Sequence, residues 1–312
     1  MRHLVTEKGT LWGMGRPDEA ARFLVQSMLA AAGSRSGVHV FVTHDSLVTA
    51  TAARLLGKPL GLEGWPWYLE GAFFWTSDEG THAAYRDGEA VHPGPLCGLA
   101  DADVLEFARR EIALTLGFDS GARFFMAGGA FKSLLTGRPP RDLDLWAPSE
   151  RDRTLLIDAL RVRGARSAGP RAFADAFEVA GRVVEVPHKI EPDTLSGRLA
   201  RFDIGLSAVG VEHQPDGEWS VMVHPLALES VRRREVQLLK PLVNWKYALT
   251  TLERMQRYAL ELGYSVPREE EAEVWRVFDA QDTELRAGMI DRYRRTGSGG
   301  FGIMEEAACR FR

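Results

Sequence analysis

Cysteine is almost absent: Cys97 and Cys309 are the only two in 312 residues, far apart and outside any CxxC or Cys/His spacing. A disulfide framework and a structural zinc site are therefore not expected, and a cytoplasmic location fits so few thiols. No run of about 18 apolar residues occurs, so no membrane span is expected. The opening MRHLVTEKGTLW has neither a long apolar core nor a small-residue cleavage site, so export is not expected either. An excess of positive charge is also missing. The chain carries 39 Lys and Arg against 43 Asp and Glu, a net charge of −4. A long nucleic acid normally requires a basic stripe, and this balance argues against one as partner, although a local basic face can coexist with an acidic total. HExxH, GxxxxGK[ST], GxSxG and GxGxxG contexts are absent, as is any repeat of fixed period.

What is present is ordinary for a globular protein, with 45% hydrophobic and 26% charged residues. The length suits about two domains. Residues 17–32 predict a helix, with Pro17 and Asp18 in the first turn and Ala21, Leu24, Met28 and Ala31 on one stripe. VHVFVTHD (38–45) reads as a strand and SLVTATAARLLG as the following helix, an α/β unit whose ligands gather at the strand's C-terminal end. WPWYLEGAFFW (65–75) continues as loop and strand, and Asp87-Gly88 signals a hairpin. Pro93, Gly94, Pro95 and Gly98 interrupt every period and mark a linker.

Beyond the linker, residues 101–116 predict a capped amphipathic helix. ARFFMAGG reads as a strand entering a glycine turn, AFKSLLTG as a short helix and RDLDLWA as a strand. Residues 150–163 predict a helix, and FADAFEVAGRVVEVPHKI a hairpin about Gly181. RFDIGLSAVGVEH and EWSVMVHP offer further strands, and the chain from about 241 is mostly helical. TGSGGFGI (296–303) reads as a flexible end.

The strongest chemical signal is MAGGAFKSLLTGRPPRDLDLW (126–146). Asp142 and Asp144, one residue apart in a short strand, point to the same face about 7 Å apart. Two hard oxygen ligands so placed can share a pair of Mg²⁺ ions that clamp the attacking and leaving oxygens of a phosphoryl displacement. Leu143 and Leu145 point the other way, into a core. Gly128-Gly129 lets backbone N–H groups approach a triphosphate at the start of a helix, and Lys132 adds a point charge.

This stretch resembles the polymerase-β-type nucleotidyltransferase superfamily, in particular its CCA-adding and poly(A)-polymerase-like branch. Gly128, Gly129, Asp142 and Asp144 occupy the motif positions, and Lys132 stands where that branch commonly has Arg. The resemblance covers roughly 120–265. It implies a third carboxylate from a later strand: Glu185, a Glu in place of the usual Asp, whose side chain faces away from apolar Val184 and Val186. Asp203 is the other candidate, and with Arg201 it is assigned to nucleotide binding. LVNWKYALTTLERMQRYALELGY (242–264) resembles the helix that closes such domains. Lys246, Arg254 and Arg257 would there face phosphates, or else line a solvated face. His188, just past Glu185, is placed to touch a nucleotide.

The N-terminal stretch resembles the C-terminal half of the histidine phosphatase superfamily. His44 of the Thr43-His44-Asp45 motif corresponds to its second, phosphate-binding imidazole. Its nucleophile sits in an RHG motif after an earlier strand, whereas Arg2-His3 has no following Gly and lies too close to His44. One imidazole cannot be both acceptor and acid. Three readings stay open: a degenerate half serving as scaffold, a unit completed by a second polypeptide, or a misplaced start codon.

The expected fold is α/β (α+β). A partial histidine-phosphatase-like unit (1–98) precedes a mixed-sheet nucleotidyltransferase domain (101–240) and a C-terminal helical region (241–312). The expected reaction moves an NMP from an NTP to a hydroxyl of a small molecule, protein or RNA end. Asp142, Asp144 and Glu185 would hold two Mg²⁺ ions, with Mn²⁺ as a substitute. The alternatives are a non-catalytic nucleotide-binding regulatory partner and a histidine phosphatase completed by another chain.

Overall fold

The computed structural model describes residues 17–32, 37–58, 64–77, 79–92, 96, 98–118, 120–171, 173–297 and 299–311. Arg2-His3 and Cys97 lie outside them. The fold is of the α/β kind, with a mixed sheet and many helices, as the sequence pattern implies. No helix of the described residues is long and apolar enough to cross a membrane. The chain divides into two compact units. One comprises the described residues up to Gly98 together with Ser133–Pro139, the other Leu99–Lys132 and Pro140–Arg312.

In the first unit, α1 (Pro17–Ala32) packs on α2 (Asp45–Leu56), and both lie by an antiparallel sheet ordered β1 (Phe73–Ser77), β2 (Gly80–Tyr85), β3 (Gly88–His92). Val25, Leu55, Ala83 and Leu96 form its core, with Leu29 and Phe74 against them. The β2–β3 hairpin forms one residue earlier than the Asp87-Gly88 signal: Tyr85 pairs with Gly88, so Arg86-Asp87 make the turn and Arg86 takes φ +53°.

The strand expected over 38–45 does not form. Residues 38–44 are irregular, and Val38, Val40 and Val42 are 90%, 78% and 94% exposed. A strand needs a neighbour to take its backbone hydrogen bonds, and none of the described strands pairs with this segment. His44 therefore lies at the N-cap of α2, its carbonyl accepting from Leu47 and Val48 N–H, rather than at the end of a strand.

The segment Ser133–Pro139 belongs to this unit through specific contacts. Gln26 Nε2 donates to Leu135 O (3.0 Å) and Ser27 Oγ to Gly137 O (2.9 Å). Gly137 has φ +65°, and a Cβ there would lie 2.6 Å from Ser27 Cα and N, backbone atoms that cannot turn aside.

The second unit is built on seven strands: β4 (Phe124–Ala127), β5 (Leu143–Trp146), β6 (Arg166–Pro170), β7 (Ala174–Val179), β8 (Arg182–Pro187), β9 (Val209–His213) and β10 (Trp219–Val223). They are ordered β10-β9-β4-β5-β8-β7-β6. All neighbours are antiparallel except β5 and β8, which run parallel. A parallel neighbour needs a crossover, here made by α4 (Glu150–Val162), whose Ser149 cap accepts from Asp152 N–H, and by β6 and β7. The β7–β8 hairpin turns on Ala180-Gly181, both at positive φ, as Gly181 signalled. Helix α3 (Asp101–Thr115) lies near β9 and β10.

One departure concerns 201–213, expected as a single strand: only Val209–His213 is strand, and Gly205–Ser207 form a 3₁₀ turn. A Cβ on Gly205 would sit 2.9 Å from Leu226 Cγ, so close packing against α5 (Pro225–Arg233) takes this stretch out of the sheet. Phe125, Ala127, Leu195, Leu199, Ala208 and Leu239 form a core cluster on one side of the sheet. Helix α6 (Ala248–Leu262) contacts α7 (Arg268–Asp279) and α8 (Thr283–Thr296), and α9 (Ile303–Phe311) follows; of the 296–303 stretch read as a flexible end, only Thr296 and Ile303 are helical among the described residues.

Gly137→Ala is expected to destabilise the first unit by about 2–5 kcal/mol. About 1–2 come from the left-handed backbone and about 1–3 from overpacking. A lower unfolding midpoint and faster proteolysis near residue 137 would register it, whereas an unchanged midpoint would exclude the close packing described.

Candidate active site

Alternation in β5 decides which side chains meet. Leu143 and Leu145 are fully buried, while Asp142, just before the strand, and Asp144 are partly buried on the other face. Parallel pairing sets Asp144 directly beside Glu185 of β8, with Leu143 beside Val184. Strand spacing then holds two carboxylate-bearing residues about 5 Å apart across the sheet, with Asp142 about 7 Å along the chain. Among the described residues, no hydrogen bond or ion pair reaches Asp142 or Asp144.

The electrostatics follow from that crowding. Burial, then the negative charges of Asp142 and Glu185, push the Asp144 carboxyl up to about 7, against the opposing pull of Arg254. Glu185 is raised by burial and by Asp142, with Arg171 pulling the other way; Arg171 Nε lies 3.6 Å from its Oε1. Among the described residues, no group of three His, Cys, Asp or Glu side chains is close enough to hold a metal ion unaided.

The glycine turn lies against these carboxylates. β4 ends at Ala127 and runs into Gly128, whose φ is +113°; a Cβ there would be 3.4 Å from both Asp144 Oδ2 and Phe202 Cζ. The positive φ, rather than space beside Asp144, is what favours glycine here. The Gly128 N–H donates to Val209 O (3.0 Å), so the amides left for an anion begin at Gly129, where a 3₁₀ turn (Gly129–Lys132) starts. A Cβ on Gly129 would overlap the hydroxyl of Tyr258.

Helix α6 supplies the opposite wall through Thr251, Arg254, Tyr258 and Glu261, one stripe at helical spacing. Asp203 is buried with both oxygens committed: Oδ1 accepts from Arg254 (2.8 Å) and Oδ2 from Thr251 (2.7 Å). This pair raises the Arg254 pKa, to which Asp144 also contributes. Tyr258 hydrogen-bonds Ser207 (3.2 Å), and burial raises its pKa. Lys132 Nζ lies 4.0 Å over the Tyr258 ring and is ion-paired with Glu261, which also lies 3.9 Å from Arg257. Burial lowers the Lys132 pKa.

The structure thus gathers Gly128, Gly129, Lys132, Asp142, Asp144 and Glu185 with Arg254. Asp203 anchors α6 rather than pointing a free carboxylate at a ligand. The Arg201 carbonyl accepts from Asn244 (2.8 Å), and Arg201, after burial, helps lower Arg198 to about 10. Lys246 is exposed, 5.5 Å over the Trp245 ring, and makes no hydrogen bond or ion pair among the described residues. His188 is half exposed, 3.6 Å from Asp175. His44 is exposed in the first unit. Sequence reasoning missed Tyr258 and Arg171. The first was signalled by its position four residues after Arg254; the second, exposed and outside any strand, carries no signal.

Two substitutions test this packing. Gly129→Ala is expected to lower stability by about 1–3 kcal/mol, and Tyr258→Phe in the same chain should recover most of it, since the next Tyr258 atom would lie at an ordinary 3.6 Å; melting of the two single variants and the double variant decides. Without divalent ions, the raised Asp144 carboxyl means that the native state holds a proton an unfolded aspartate releases near pH about 3.9. Stability should therefore fall as pH rises from about 4 to about 7, and Asp144→Asn should flatten that slope in urea titrations.

No family model matches the sequence, and no curated protein matches it. Solved structures do. A tRNA-processing enzyme (apo form I) is similar at 17% identity and a TM-score of 0.47, over 69% of this chain and 58% of that one. A CCA-adding enzyme (apo form II) is similar at 12% identity and a TM-score of 0.48, over 68% and 56%. The Thermotoga maritima CCA-adding enzyme, complexed with tRNA, is similar at 13% identity and a TM-score of 0.44, over 68% and 48%. The chain spans about half the length of the structures it resembles.

Proposed function

We propose that the second unit is a divalent-metal-dependent nucleotidyltransferase, cytoplasmic in location, that moves an NMP from an NTP to a hydroxyl of a small molecule, protein or RNA end. The observation that carries this reading is the register of β5 and β8, which puts Asp144 beside Glu185 and leaves Asp142 on the same face. Three hard oxygen donors suit Mg²⁺ or Mn²⁺. Burial, and then their mutual repulsion, raise Asp144, and a bound cation would relieve both. Asp142, Asp144 and Glu185 would hold two such ions, which when bound supply Lewis-acid polarisation of phosphoryl oxygens.

The remaining groups bind and orient. The amides from Gly129 onward and Lys132 face the triphosphate, and Lys132 exchanges Glu261 for phosphate when an NTP enters. Arg254, fixed by Asp203, adds a rigid positive charge beside Asp144, and Arg201 flanks the nucleotide. The acceptor hydroxyl loses its proton to solvent as its oxygen bonds to the α-phosphorus, the bond to the bridging oxygen breaks, and pyrophosphate leaves. The first unit serves as an accessory to this site.

Radiolabelled NMP transfer across an acceptor panel tests the reading. Asp142→Ala and Asp144→Ala are each expected to lower transfer by at least about 10²–10³-fold, the scale of losing a transition-state electrostatic partner. EDTA should abolish transfer, and Lys132→Ala should raise the KM for NTP more than it lowers kcat. Unchanged transfer in Asp144→Ala would overturn the assignment. NTP binding without transfer to any acceptor would favour a regulatory nucleotide-binding protein.

A further inference from the structure

The solvent-facing side of the β1–β3 sheet carries a second set of reactive groups, separate from the carboxylate cluster. Phe73, Trp75 and Ser77 alternate on one face of β1, opposite Phe74, which packs into the core of this unit. Pairing sets Trp75 beside His82 and His82 beside Val91, and places Ala84 beside Glu89, so all of these share that face. Ser77 Oγ lies 2.7 Å from His82 Nε2. The backbone N–H of Glu79 donates to Ser77 Oγ (3.1 Å) and leaves the hydroxyl free to donate to His82 Nε2 in the tautomer whose ring proton lies on Nδ1. That Nδ1 is buried without a hydrogen bond, and Glu89 Oε1 stands 3.5 Å from it. Trp75 stacks on the imidazole at 4.8 Å and 11°, fixing the ring plane.

We propose that Ser77, His82 and Glu89 form a nucleophile–base–orienter set that acylates Ser77 from esters bearing an aromatic or short aliphatic group. His82 has the geometry of a general base toward the hydroxyl. Glu89 has the sign and position to hold the Nδ1 proton, and its long contact tightens as the ring becomes an imidazolium, which relieves the cost of an unpaired buried N–H. Phe73, Trp75 and Val91, 65%, 40% and 42% exposed, form the apolar ledge on which the acyl group rests. Ser77 Oγ bonds to the carbonyl carbon as its proton passes to His82 Nε2; the ester C–O bond breaks and the leaving alkoxide takes that proton. Water then repeats the sequence, giving its proton to His82 and its hydroxyl to the acyl carbon; the acyl bond to Ser77 Oγ breaks and Oγ takes the proton back from His82.

A tagged alkyl fluorophosphonate, followed by peptide mass spectrometry of the full chain, tests this. Wild type is expected to carry the phosphonyl group on Ser77 with loss of fluoride, and to hydrolyse p-nitrophenyl acetate above the Ser77→Ala background. His82→Ala should lower the labelling rate at least about tenfold, within the range for losing a general base. Because His82 is buried, Glu89→Gln, an exposed change that spares the packing, is the second variant and should slow labelling severalfold at an unchanged melting temperature. Absence of the adduct in wild type overturns the proposal. So does equal labelling of wild type and Glu89→Gln, which would mark Ser77 as merely accessible.

Discussion

Two carboxylates set side by side by strand pairing, Asp144 and Glu185, with Asp142 just ahead of them on the same face, are the constraint around which the second unit is organised. Hydrogen bonds between β5 and β8 fix backbones, not charges, so the sheet imposes a proximity that the side chains resist. The raised proton affinity of Asp144 comes first from its burial and then from that crowding of charge. The fold tolerates it because Leu143, Leu145 and Val184, on the opposite face, are fully buried and hold the two strands in register. A slip of one residue would exchange these apolar groups for the acids, at a cost far above the repulsion it relieved.

Helix α6 is the counterweight. Arg254 is drawn toward the acids but pinned by Asp203, so its position is set by a buried pair rather than by a ligand. Tyr258 packs on Gly129 and carries Lys132 over its ring. The glycine turn, the cations and the acids are therefore linked through one helical stripe. A change on α6 is transmitted to the turn through side-chain packing, without any backbone hydrogen bond between them.

Much of this order is legible in the chain because period and turn chemistry are local. The alternation of Leu and Asp over 142–145, the glycine at 181 and the helices at 17–32, 101–115 and 150–162 follow from spacing alone. The alternation also placed Glu185 on the face away from the core, but only strand order could say which neighbour it would meet. Where inference failed, a nonlocal partner decided. The 38–45 segment has strand composition and no strand to pair with. Residues 201–208 leave the sheet because Gly205 packs under Leu226. Asp203, assigned in sequence to nucleotide binding, accepts from Thr251 and Arg254, some 50 positions away, partners that spacing alone does not reveal.

The membership of Ser133–Pro139 in the first unit makes both units discontinuous in the chain. On the ribosome, the N-terminal helices and sheet emerge well before the seven residues they enclose, so that unit cannot finish packing until the glycine turn of the other has been synthesised. Neither half can be obtained whole by cutting at Gly98. A gene fragment ending there would lack Gly137, which seats against Ser27, and one starting there would carry the apolar LLTG turn of helix without its cover. Recombination between relatives would have to exchange the two units together.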